Sequence, residues 1–209
     1  MTQALGLRER KKREQRRQLA EVALRLFARR GFEAVTVADI AAAAGVSDKT
    51  VFNYFATKED LVLDGREELE SELVRAVRER APGTSALEAV RRHAHAVAER
   101  MGALPEERRS AFRKVVQGSP ALHARMRQLS LRSEEQLAQV LAEETGAAAS
   151  DPTPRVVAST LGMLARLGFG AVGWPDAKRR SHAETLAGID AAFAAFAHGL
   201  ADYGVRKGR

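Results

Sequence analysis

Helical spacing recurs along almost the whole chain, and no segment alternates apolar and polar residues as a half-buried strand would, so the pattern restricts the chain to an all-α fold. The punctuation agrees. Thr36, Ser47, Thr57, Ser85, Ser119, Thr153 and Ser181 each stand just before an amphipathic stretch, where a side-chain oxygen can accept from the unpaired amides of a first helical turn. Ser85 with Glu88 and Ser181 with Glu184 have the spacing of a capping box, and Pro120 and Pro154 follow their caps at the first helical position. Gly31, Gly45, Gly83, Gly118 and Gly146 fall where helices should stop. About nine helices are predicted: 8–30, two short ones before residue 55, 58–80, and, after the break at Pro82 and Gly83, 85–102, 105–117, 120–145, 154–174 and 181–204.

Composition narrows the class. With 209 residues, 45% of them hydrophobic, the chain has enough apolar surface to close one large core or two small ones. It contains no cysteine, which removes disulfides, thiolate nucleophiles and Cys-ligated zinc together and fits a reducing compartment. No apolar signal-peptide core follows Met1, so a cytoplasmic protein is expected. Residues 156–174 are long enough to suggest a membrane span, but Arg166 stands near their middle among four glycines. A charge at mid-bilayer is costly, so no membrane partner is expected.

The formal net charge of +7 is unevenly placed. Up to Lys58 there are 12 Lys and Arg against 6 Asp and Glu, which leaves 22 against 21 of the chain's 34 and 27 for everything after it. A basic segment on a near-neutral body is the footprint of a polyanion binder, because cations meeting phosphates release counterions. It is equally the composition of a solvated helical face. In the first helix Leu19, Val22, Ala23, Leu26 and Phe27 form one apolar stripe, while Arg8, Arg10, Lys11, Lys12, Arg13, Arg16 and Arg17 surround its first turns. That charged part is expected to project into solvent or lie along a partner.

Residues 36–55 read TVADIAAAAGVSDKTVFNYF. The spacing suits two helices crossing steeply through a short turn. Ala41 is small where the helices come closest, Gly45 can take the positive φ that ends the first of them, and Val51 returns an apolar side chain to the same core. Ile40, Val46 and Phe55 complete the apolar cluster. Each feature alone is weak; together, behind a basic helix, they are specific for a helix-turn-helix.

From Leu19 to Val62 the chain resembles the DNA-binding domain of TetR-family regulators, through LFARRGFEAVTV, IAAAAGVS, KTVFNYF and TKEDL. The resemblance implies an N-terminal three-helix DNA-binding domain at 1–58 and a helical effector-binding and dimerisation domain at 59–209. It places the recognition helix at 47–54 in the major groove, with Ser47, Asp48, Lys49, Thr50, Asn53 and Tyr54 on its exposed side. Lys49 can donate to guanine O6 and N7, Asn53 can pair with adenine, and Thr50 can meet a thymine methyl or a phosphate. Asp48 can accept from a cytosine amino group or simply favour the helix N-terminus through the dipole. Thr36, Tyr54 and Lys58 match the family's phosphate-contacting positions, which fix register and carry no sequence information. Many members have tyrosine where this chain has Phe52, which is expected to pack on the small core instead. Arg8 to Arg17 are candidates for a minor groove or for flanking phosphates.

Residues 156–174 are apolar nearly all round, with small residues at Ser159, Gly162, Ala165, Gly168 and Gly170, so they must be covered on both sides. The helix after them offers Leu186, Ile189, Phe193, Phe196 and Leu200 among many alanines. One side can be covered by the chain itself and the other by a second copy. In the resembled family these last two helices form a four-helix bundle across a two-fold axis, so a homodimer is expected with Ser159, Gly162, Leu186, Ile189, Phe193 and Phe196 at its interface. Two-fold symmetry implies a palindromic double-stranded operator. The family's middle helices enclose a small-molecule effector, whose pocket candidates here are His93, Met101, Phe112, Met126, Leu129, Met163, Arg166 and Phe169, each of which reads first as a core residue. Arg166, in an apolar helix, needs an anionic partner, either a ligand or a carboxylate of the protein.

Enzymatic readings find no support in the residues. His93 and His95 are two apart on a helix and cannot share a metal, and no phosphate loop, zinc-helix motif or nucleophile elbow occurs. No catalytic residue, cofactor or metal is expected. The leading expectation is a ligand-responsive dimeric repressor. An activator or a ligand-independent regulator of the same fold would read the same, and a helical interaction protein using its basic arm is the reading from another class.

Overall fold

The structure, a computed structural model, describes residues 6–172 and 181–199. Ten α-helices and one 3-10 segment make up their regular structure, with no strand among the described residues. In order these are α1 (Leu7–Arg30), α2 (Val37–Ala44), α3 (Asp48–Tyr54), α4 (Lys58–Val62), α5 (Arg66–Arg78), α6 (Ala86–Gly102), α7 (Glu106–Gln117), α8 (Pro120–Thr145), α9 (Thr153–Arg166), a 3-10 segment (Leu167–Val172) and α10 (His182–Ala197). The helix ends expected at 174 and 204 lie outside the described residues.

The chain forms two compact units: residues 1–66 with 106–127, and 67–105 with 128–209. The first therefore extends past residue 58. It adds α4, α7 and the first turns of α8 to the helix-turn-helix, and α7 packs along α1. Lys114 Nζ donates to the Ala28 carbonyl at 2.8 Å and the Ser119 hydroxyl to Glu33 at 3.1 Å. The core of this unit is built on Leu19, Ala23, Phe27, Phe32, Val35, Ile40, Val51, Phe55 and Leu61, all buried. The Phe27 and Phe32 rings lie 4.9 Å apart, and burying each such side chain stabilises the unit by about 1.5–3 kcal/mol.

The second unit collects Leu73, Val77, Val90, Ala94, Leu137, Leu141, Leu161, Leu164, Ile189 and Phe193 from α5, α6, α8, α9 and α10 around one core. The inward stripe of α6 (Ala89, Val90, His93, Ala94, Val97, Ala98) steps by three and one, the phase of a helix buried on one face. Arginine–carboxylate pairs tie its periphery: Arg80–Glu144 at 2.6 Å, Arg91–Asp190 at 3.0 Å and Arg100–Glu72 at 2.6 Å. Among the described residues no helix is long and apolar enough to cross a membrane.

Three local expectations need correction. The helix expected over 58–80 is broken: α4 ends at Val62, and Gly65, at φ +79°, turns the chain before α5 begins. Thr153 is not a cap but the first residue of α9, and its amide donates to Asp151 Oδ1 at 2.8 Å. Ser85 caps α6 alone, whereas full reciprocal boxes occur at Ser181/Glu184 and at two sites with aspartate in the third position, Thr36/Asp39 and Thr57/Asp60. An aspartate reaches back as glutamate does, one methylene shorter.

Candidate nucleic-acid interface

The interface is a chain of short helices whose ends are fixed by their own side chains. At the start of α2 the Asp39 amide donates to Thr36 Oγ1 at 3.1 Å, and Asp39 Oδ2 accepts from the Thr36 amide and hydroxyl, both at 2.9 Å. The Thr36 amide first, then its hydroxyl and Arg30, hold the Asp39 carboxyl below the usual carboxylate range. α2 closes on Gly45 at φ +68°, with the Val46 amide on the Ala41 carbonyl and the Gly45 amide on that of Ala42. This is the left-handed closure the glycine predicts. Ser47 caps α3 by accepting from the Thr50 amide at 3.2 Å.

With the caps set, the phase of α3 decides which side chains face outward. Val51 is buried, and at about 100° per residue Lys49 and Asn53 lie opposite it, flanked by Phe52 and Thr50. Ser47, Asp48, Lys49 and Asn53 are exposed, and Thr50 and Tyr54 half-buried. Phe52 does not pack on the core: it is 54% exposed, a quarter-turn from Val51 and on the Lys49 side. Residue type suggested an inward phenylalanine, and the helical phase from Val51 was the signal against it.

Two cations stand apart from the solvated set. Lys58 Nζ donates to the carbonyls of Phe32 at 2.9 Å and Val35 at 3.3 Å and lies 4.3 Å from the Phe32 ring centre. An ammonium has three donors, so one remains for an outside acceptor. Thr36 has both its amide and its hydroxyl proton on Asp39. Arg16, expected in the charged arm, is instead drawn in against Tyr54, Phe55 and Asp64. The exposed arm is thus Arg8, Arg10, Lys11, Lys12, Arg13 and Arg17, with Arg17 paired to Glu14 at 3.0 Å.

The other expected sets separate. Phe112 and Met126 lie half-buried in the first unit, whereas His93, Met101, Leu129, Met163, Arg166 and Phe169 belong to the second. His93 and Leu129 are buried there, and Met163 is 48% exposed. Arg166 pairs with Glu134 at 2.7 Å, and Glu134 also accepts from Ser159 at 2.8 Å, so the anion is a carboxylate of the protein. Of the residues expected at a dimer face, Gly162, Ile189 and Phe193 are buried inside the unit, and Leu186 and Phe196 pack against the same core. Ser159 is exposed.

A capped helix-turn-helix beside a basic first helix, in a chain whose described residues form helices and no strand, has the architecture of a DNA-binding transcriptional regulator. The comparisons agree. The family model for bacterial regulatory proteins of the tetR family matches residues 19–64. The HTH-type transcriptional regulator TcmR of Streptomyces glaucescens is 31% identical over 172 residues, 78% of this chain and 74% of that protein. LuxR of Vibrio harveyi, also an HTH-type transcriptional regulator, is 57% identical over 49 residues, 23% of this chain and 24% of that one. Among solved structures, Thermus thermophilus FadR, a TetR-family repressor in complex with lauroyl-CoA, superposes with a TM-score of 0.51 at 23% identity, covering 92% of this chain and 97% of its own. NalD, the secondary repressor of the MexAB-OprM multidrug efflux pump of Pseudomonas aeruginosa, does so with a TM-score of 0.55 at 18% identity, over 88% of this chain and 96% of its own. The chain belongs to the TetR family of transcriptional regulators. It is a DNA-binding regulator and not an enzyme.

Proposed function

We propose that the chain is a ligand-responsive dimeric repressor that reads a palindromic operator with α3 in the major groove. The observation that carries the reading is the outward face of α3, where Lys49 and Asn53 stand opposite buried Val51. Lys49 supplies donors to guanine O6 and N7, Asn53 pairs with adenine, and Phe52 and Thr50 offer apolar contact to thymine methyls. Asp48 sits in the first turn of α3, where it favours the helix dipole or accepts from cytosine. Ser47 and Tyr54, at the two ends of α3, and the remaining donor of Lys58 hold the backbone register; Thr36, whose amide and hydroxyl both donate to Asp39, joins them only by giving up one of those bonds. Operator contact is assigned to residues 1–58, buttressed by α7, and effector binding and dimerisation to the rest. The DNA target implies action in the cytoplasm.

For the dimer, the outward faces of the last helices are the ones that remain available. Val156 at 62% exposure and Met163 at 48% share one face of α9 with the exposed Ser159, and Ala183, Ala187, Ala191 and Ala194 are exposed on α10. Small side chains there let a second copy approach closely, and two recognition helices would then meet half-sites roughly 34 Å apart or a multiple of it. Effector binding belongs to the second unit. FadR holds an acyl-CoA and NalD governs an efflux pump, two ligand worlds between which no residue of this chain chooses.

The test is selection from random double-stranded DNA followed by sequencing of the retained fragments. Enrichment of an inverted repeat is the expected outcome; retention without sequence preference would sink the proposal. Compounds that raise the melting temperature and release the selected duplex would then identify the effector.

A further inference from the structure

Arg16 differs from every other cation of the first helix in what it touches. Its Nε lies 2.7 Å from Asp64 Oδ1, its Nη1 donates to the Tyr54 carbonyl, and its guanidinium stacks 4.4 Å from the centre of the Phe55 ring. All three partners lie within the first compact unit. Tyr54 is the last residue of the recognition helix and Asp64 belongs to the turn after α4, so a single side chain of α1 holds both ends of the segment that follows the reading face. The register explains the placement: Arg16 stands three, four and seven residues before Leu19, Ala20 and Ala23, which are buried, and so continues the core stripe of α1 by one turn.

The chemistry suits arginine. A helix leaves its last carbonyls unpaired and carries partial negative charge at its C-terminus, so a cation on the Tyr54 carbonyl is favoured twice. A planar guanidinium lies flat on an aromatic face while its rigid edge donates to a carbonyl and a carboxylate; an ammonium, as at Lys58, can meet a ring and two acceptors but offers no such fixed fork. We propose that Arg16 is the positioning residue of the recognition helix: it sets the pose of α3 on α1, and through that pose the discrimination between operator and other DNA, while contributing no phosphate contact. This rests on the assignment of α3 as the reading helix.

The experiment compares the selected operator with a scrambled duplex of equal length, over a range of salt, for the wild-type chain and for Arg16→Lys, Asp64→Asn and Arg13→Ala. Failure of the wild-type chain to select any operator would remove the underlying assignment and is seen first. Given an operator, the ratio of the two affinities is the readout, because a variant that is partly unfolded loses both affinities alike and leaves their ratio unchanged. Arg16→Lys keeps the charge and Asp64→Asn removes a negative one, yet both are expected to lower the ratio about tenfold with the salt slope on scrambled DNA unchanged. Arg13→Ala, from the exposed arm, should weaken both duplexes together and reduce that slope. A wild-type ratio in Arg16→Lys and Asp64→Asn, or tighter operator binding by Asp64→Asn through a released Arg16, would overturn the proposal.

Discussion

Lys49 and Lys58 carry the same side chain into opposite circumstances. Lys49 is exposed on the outer face of α3, where the proposed function gives it a base edge to read. Its truncation, Lys49→Ala, should cost about 1–3 kcal/mol at one operator position and relax selection there, measured by affinities for single-base operator variants. Lys58 is committed to the Phe32 and Val35 carbonyls. Lys58→Ala should therefore weaken binding to all sequences alike and also lower the stability of the free chain, by about 1.5–3 kcal/mol for hydrogen bonds to a charged donor, read from urea unfolding. An unchanged urea midpoint would make those carbonyl contacts incidental. At this scale the sequence was legible where steric need is sharp, as at Gly45 and Val51, and misleading where residue type spoke louder than helical phase, as at Phe52. The inward turn of Arg16 is visible in the sequence only as a cation one turn ahead of an apolar stripe.

Elements were legible through their ends. Most caps and stops fall where hydroxyl side chains and glycines stand, because those residues meet a need of the backbone that does not depend on tertiary contacts. The break after α4 was missed for the converse reason. Apolar residues continue in helical phase across it, and only the Asp64–Gly65 pair, a common turn dipeptide, marks the interruption. Gly65 at φ +79° makes the break a testable feature. Gly65→Ala should destabilise the chain by roughly 1–2 kcal/mol through strain at that dihedral, whereas an uninterrupted 58–80 helix would gain from alanine, and denaturant titration separates the two. The break also leaves α4 with five residues, too few to hold itself, so its position depends on the Thr57/Asp60 box and on the Arg125–Asp60 pair at 3.2 Å.

Across the whole molecule, function was readable in the first unit and fold alone in the second. Apolar periodicity shows that a helix has a buried stripe but not whether its own chain or a second copy buries it. Ile189 and Phe193 were for that reason expected at a dimer face and lie in the chain's own core. The second unit also contains the buried His93, facing Glu72, Glu70 and Arg100. Burial lowers its pKa from the ordinary value of about 6.5, Arg100 lowers it further, and Glu72 and Glu70 oppose the shift. With the folded pKa below the unfolded one, its contribution is complete above about pH 6.5 and is lost as pH falls through the folded pKa. The stability of the wild-type chain should thus fall more steeply between pH 7 and 5 than that of His93→Gln, in parallel urea titrations. Coincident slopes would refute the assignment.

The helices proposed to touch DNA are the shortest α-helices among the described residues: α2 has 8 residues, α3 has 7 and α4 has 5. Helices below about 12–15 residues are marginal in water by themselves, so α3 owes its existence to α1 and its neighbours and has little order of its own to lose separately. A mutation deep in that scaffold, at Phe27 or Leu61, would consequently be recorded by a geneticist as a loss of operator recognition, although both side chains are buried in the core.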